Sequence, residues 1–129
     1  MRPPVLTPAV TAVMVHVSCV DDALVWYEQV FPGAVRSSVD EPAFEFLRVG
    51  EVRLELVAAD AQVSSGACGS VVYWEFADFE AALARFLAAG AVLYRGPMLI
   101  EDGRRMCQVR DPWGNCIGLR GPSSAGLLG

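Results

Sequence analysis

The chain runs through one order of elements twice: a strand, a helix opened by aspartate and closed by glycine, then three short strands. Residues 11–20 alternate, with Val13, Val15 and Val17 on one side and Met14, His16 and Ser18 on the other, the period of a half-buried strand. Asp21 or Asp22 is placed to cap a helix whose apolar side is Leu24, Trp26, Tyr27, Val30 and Phe31, and Pro32-Gly33 ends it. Strands are expected over 34–39, 43–49 and 52–58, and the Ala-, Ser- and Gly-rich segment 59–69 reads as a linker. The order then repeats: strand 70–76, Asp78 as cap, helix 79–89 with Leu83, Phe86 and Leu87 inward, Gly90 as stop, and strands 91–94, 105–109 and 116–120. Residues 96–103 are expected as a mobile loop over a site, and the tail 121–129 is expected to fray. The fold class is therefore α+β, one domain over residues 1–129 built from two tandem βαβββ units at about 11–58 and 70–120.

Charge and composition narrow the partners. Fifteen acidic residues against ten basic ones give a net charge of −5, and no cluster of cations marks a nucleic-acid footprint. That balance favours a cationic ligand over an anionic one. The first residues, with Pro3, Pro4 and Pro8, lack the basic-then-apolar run of a signal peptide, and no apolar stretch is long enough to span a bilayer, so a cytoplasmic protein with no membrane partner is expected. Cys19, Cys68, Cys107 and Cys116 form no C-x-x-C pair and read as reduced, mostly structural thiols.

Strand alternation separates two faces. Val13, Val15, Val17, Val52, Leu54, Leu56, Val72, Trp74, Phe76, Ile117 and Leu119 form an apolar set suited to packing under helices. Met14, His16, Arg53, Glu55, Val71, Tyr73, Glu75, Cys116, Gly118 and Arg120 form the complementary set, the candidates for a ligand cavity. Trp26 and Tyr27 read as core. Phe44 and Phe46, with Tyr73 and Trp113 at a rim, could line the cavity.

Near the end, Asp111-Pro112-Trp113-Gly114-Asn115 has the residues of a type I turn and leads into the strand Cys116-Ile117-Gly118-Leu119. This stretch resembles the closing hairpin of the vicinal oxygen chelate superfamily, which includes glyoxalase I, ring-cleaving dioxygenases, fosfomycin-resistance transferases and bleomycin-resistance proteins. Residues 22–33 and 78–90 resemble the family's two helices, and the likeness covers Val13 to Leu119. The resemblance implies two units curled into a cup that holds a ligand on its concave side, and many such chains pair as homodimers. The arm from Arg2 to Pro8 could cross to such a partner.

In metalloenzyme members each unit's first and last strands supply one metal ligand. Carried onto this chain, those positions are Met14 or His16, Glu55, Val71 and Gly118, of which Val71 and Gly118 have no donor. The resemblance thus implies a protein without a metal or other cofactor, with His16 and Glu55 the only weak metal candidates. The implied function is metal-independent small-molecule binding, of the sequestration or resistance type, with His16, Phe44, Phe46, Arg53, Glu55, Tyr73, Trp113 and Arg120 around a cationic or aromatic ligand. The alternative is a lyase, isomerase or dioxygenase relative using Glu55 and His16, with or without a divalent metal completed across a dimer. For His16 and Glu55 the readings stay open between a satisfied cavity wall and an acid/base pair.

Overall fold

β1 (Ala12–Val17) leads into α1 (Val20–Val30), and β2 (Val35–Asp40), β3 (Ala43–Val49) and β4 (Val52–Ala58) complete the first unit. β5 (Val72–Glu75), α2 (Phe79–Ala88), β6 (Val92–Leu99), β7 (Arg104–Arg110) and β8 (Cys116–Pro122) form the second. The structure is a computed structural model and describes residues 10–40, 43–61, 64–66 and 71–124. The arm at Arg2–Pro8, the turn residues Glu41 and Pro42, Cys68, Ser70 and the last five residues of the tail lie outside the described residues.

Each unit makes a four-stranded sheet, ordered β1-β4-β3-β2 and β5-β8-β7-β6. The first and last strands of a unit run parallel, which the intervening helix permits, and the other pairs are antiparallel hairpins. The helices cover one face of the sheets. Leu24, Tyr27, Val30, Phe79 and Phe86 meet Leu47, Leu54, Cys107, Val109 and Leu119 in a single buried cluster. Burial lifts the Cys107 thiol to about 11, so it stays protonated as a small hydrophobe, as expected. Among the described residues no helix is long and apolar enough to cross a membrane.

Local departures from expectation have local causes. α1 begins at Val20, with extended Cys19 in the capping position and no side-chain cap bond, while Asp21 and Asp22 fall in the first turn, where the helix dipole favours acids. Asp78 caps α2 as expected, accepting a bond from the Ala81 amide at 3.1 Å. Leu87 is exposed rather than inward, because it follows buried Phe86 by one residue and lies about 100° further round the helix. The expected loop at 96–103 is mostly strand: β6 runs to Leu99 across two register shifts and turns back through a 3-10 turn at Glu101–Gly103. Pro97 is tolerated there because β6 is an edge strand with one row of amides unpaired. The start of the tail does not fray. β8 extends to Pro122, and Ser123 and Ser124 are tied to Glu80 by bonds of 2.8 and 2.9 Å. Glu80 also pairs with Arg105 at 3.1 Å; desolvation opposes its charge, but the bonds from Ser123, Arg105 and Ser124 prevail and lower its carboxyl to about 2.

Candidate functional site

The faces turned away from the helices carry the polar side chains. Strand register decides which of them stand opposite one another. Across the parallel pair β1 and β4, Met14 faces Glu55 and His16 faces Val57. Across β5 and β8, Tyr73 faces Gly118. Met14, not His16, is therefore the neighbour of Glu55, and the equivalent in the second unit is Tyr73, two residues on from the expected Val71. Counting back from Asp78 fails because only Ala77 and Phe76 separate the helix cap from the strand end.

In the first unit Arg53 is the organising side chain. Its guanidinium lies 4.0 Å from the centre of the Phe46 ring and 5.4 Å from that of Phe44, and Arg48 approaches Phe46 at 5.7 Å. Phe46 is therefore only 3% exposed although it points away from the helices. Arg53 Nε also stands 3.2 Å from Glu55 Oε2, but this is a contact of charges without hydrogen-bond alignment, and the buried Nε–H has no acceptor among the described residues. Glu55 thus answers to Arg53 on its own strand.

In the second unit Tyr73 lies flat over Gly118. A methyl group built on Gly118 would come within 2.4 Å of Tyr73 Cδ1 and 2.6 Å of Cγ, far inside the ~3.5–4.0 Å carbon contact distance. Glycine here is a condition for the ring's position. The Tyr73 hydroxyl accepts a bond from Gln108 Nε2 at 2.8 Å, Cys116 Sγ donates to Gln108 Oε1 at 3.5 Å, and Arg120 covers the ring at 4.7 Å. Arg120 Nε is buried without a partner among the described residues. Arg110 stands 5.1 Å over the ring of Tyr94 and donates twice to the Gly114 carbonyl.

Between the edges of β1 and β5 opens a cavity of about 330 Å³, lined by both Met14 and His16 and by Val72, Trp74, Asn115 and Cys116. Of the expected ligand residues, His16 lies on this cavity, Phe44, Phe46, Arg53 and Glu55 form one group on the first sheet, and Tyr73 and Arg120 form another on the second. Trp113 does not join them. It packs edge-on against Trp26 of α1 at 6.2 Å, because the turn that carries it folds toward the helices. That turn is a buried polar knot. Asp111 accepts from the amides of Trp113 and Asn115 at 2.9 and 2.7 Å and from the Tyr27 hydroxyl at 2.6 Å, while Asn115 Nδ2 reaches the His16 carbonyl at 3.0 Å. Burial, then the charge of Asp111 and its hydrogen bond, hold the Tyr27 phenol well above its usual range. The residues missed by sequence reasoning are Gln108, Arg110 and Tyr94. The i, i+2 alternation of β7 could have placed Gln108 and Arg110 on this face, whereas the register shifts in β6 hide Tyr94.

Two sheets of order first-last-third-second, each with one covering helix, have many known counterparts. A sequence model of the glyoxalase/bleomycin resistance protein/dioxygenase superfamily matches residues 9–119. The chain belongs to this superfamily. Among solved structures, the Vibrio cholerae integron cassette protein is 16% identical with a TM-score of 0.72, the alignment covering 92% of this chain and 98% of that one. A superfamily member from Sphaerobacter thermophilus is 16% identical with a TM-score of 0.71, covering 91% and 99%. A fosfomycin resistance protein from Mesorhizobium loti is 15% identical with a TM-score of 0.63, covering 98% and 100%. At these identities the likeness is one of fold. No curated protein matches the sequence.

Metal-dependent members of the superfamily need oxygen or imidazole donors at the paired strand positions. Here those positions are Met14, Glu55, Tyr73 and Gly118: a thioether, a carboxylate already facing Arg53, a phenol bonded to Gln108 and no side chain. Among the described residues no three of His, Cys, Asp and Glu gather as a metal site. This donor set does not fit a hard divalent cation.

Proposed function

We propose that the protein binds a small organic molecule on the open faces of its two sheets without a metal ion of its own, as a sequestering rather than a catalytic member of the superfamily. One observation carries this reading: the Tyr73 ring, seated on Gly118 and covered by Arg120, fills the place where a metal-dependent relative would present its last ligand. The remaining carboxylate, Glu55, stands 3.2 Å from Arg53 Nε and so already faces a cation of its own strand. What the faces offer is aromatic surface, guanidinium groups and a few hydrogen-bonding atoms, the composition of a binding wall.

The test is a thermal-shift screen of aromatic acids, amines and neutral compounds in excess EDTA. A true ligand at 100 times its Kd adds about 2.7 kcal/mol of stability. Stabilisation that persists in EDTA is expected. Stabilisation or turnover that appears only when a divalent metal is restored would contradict the proposal.

A further inference from the structure

Although the chain as a whole is acidic, the open face of the second sheet is not. Alternation along β7 and β8 puts Arg104, Arg110 and Arg120 on that face, and the pairing of Arg95 with Gln108 between the two register shifts of β6 adds Arg95, against a single strand carboxylate, Glu75. Glu75 is already engaged by Arg104. Arg95, Arg110 and Arg120 form no ion pair with a described carboxylate. The three are also close to one centre. Arg95 pairs with Gln108 and Arg110 with Cys116 across neighbouring strands, Cys116 bonds Gln108, and Gln108 bonds the Tyr73 hydroxyl beneath Arg120.

Three arginines on neighbouring strands, with no described carboxylate paired to them, leave positive charge that an anion would offset. The buried Nε–H of Arg120 adds a donor with no acceptor among the described residues. Around this centre the surface is apolar and adaptable: Met98 faces Met106 across β6 and β7, and Met98 and Tyr94 are 42% and 50% exposed. Guanidinium recognises carboxylates through paired N–H donors, and aromatic and thioether walls recognise a flat apolar body.

Resting on the small-molecule reading above, we infer that the second sheet is the ligand site and that its ligand is an anion: a small organic acid with an aromatic or other apolar body, its acid group held by Arg95, Arg110 and Arg120. The cation that the bulk charge favours is repelled locally by this face.

Isothermal titration with three probes of one shape tests this: 1-naphthoate, neutral 1-naphthylmethanol and 1-naphthylmethylammonium. The acid is expected to bind best, the alcohol less well and the ammonium least, with the acid's affinity falling as salt rises. Arg95→Gln, at an exposed residue, is expected to weaken the acid about tenfold and the alcohol far less. Arg120→Gln should also weaken the acid, and because it uncovers the Tyr73 ring it is read by the acid-to-alcohol ratio, which should fall. Binding of the ammonium or alcohol as tightly as the acid would overturn the charge assignment and leave the binding reading standing. Silence from all three would overturn it as well, and the binding reading falls with it only if the broader thermal-shift screen is also silent.

Discussion

A methyl group at position 118 is the smallest perturbation that addresses how this site is built. In Gly118→Ala the new carbon would sit 2.4 Å from Tyr73 Cδ1, 2.6 Å from Cγ and 2.7 Å from Cε1, so the whole near edge of the ring must lift. Lifting it breaks the Gln108 bond to the hydroxyl, worth about 0.5–1.5 kcal/mol, and the Arg120 contact with the ring face, worth about 0.5–1 kcal/mol. Overpacking of this kind costs about 1–3 kcal/mol in total. At roughly 3–5 °C per kcal/mol for a domain of this size, the melting temperature should fall several degrees. The same change in a Tyr73→Ala background meets no ring and relieves the flexibility of a glycine in a strand, so it should be neutral or slightly stabilising. A double-mutant cycle by urea denaturation should therefore give a coupling of about 1–3 kcal/mol between positions 73 and 118. If Gly118→Ala is harmless in the native background, or costs the same with and without Tyr73, the ring does not occupy this place.

Tyr27→Phe removes the hydroxyl from Asp111 and should cost about 1–2 kcal/mol by denaturant titration. Because the folded phenol titrates above its unfolded value, that contribution should be constant at every pH below about 10 and decline only in stronger alkali; decline between pH 6 and 9 would contradict the assignment. Glu80→Gln should destabilise at neutral pH, with the difference present above about pH 4.5 and lost as pH falls toward 2, since the folded carboxyl is depressed; a difference that does not shrink in acid would refute the linkage. β6 is an unpaired edge with Val92 and Leu99 exposed at 64% and 71%, and a homodimer is expected in sedimentation; a monomer at micromolar concentration would count against it.

The repeat of elements was legible because its punctuation is chemical: Asp78 caps one helix, and Asp111, Pro112 and Gly114 shape the turn that the structure knots around Tyr27. The two faces were legible because alternation survives wherever register is regular. What was not legible depends on contacts between units or on irregular backbone. Gly118 offers no donor, but that Tyr73 takes the space beside it depends on the pairing of β5 with β8. Trp113 reads as a rim aromatic until Trp26, 87 positions earlier, is found against it. Gly96-Pro97 reads as loop, although an edge strand admits proline. The net charge conceals a face where arginine dominates, because the acids that outweigh it lie elsewhere.

A superfamily member whose metal position holds Met14, Tyr73 and Gly118 beside Glu55 should take up no divalent metal. The direct measurement is metal analysis of protein purified without chelator, followed by calorimetric titration with zinc, nickel and manganese. Substoichiometric metal and no saturable binding of any of the three at micromolar concentration are expected. One equivalent of divalent metal per chain, lost on Glu55→Ala in a protein that remains folded, would contradict this.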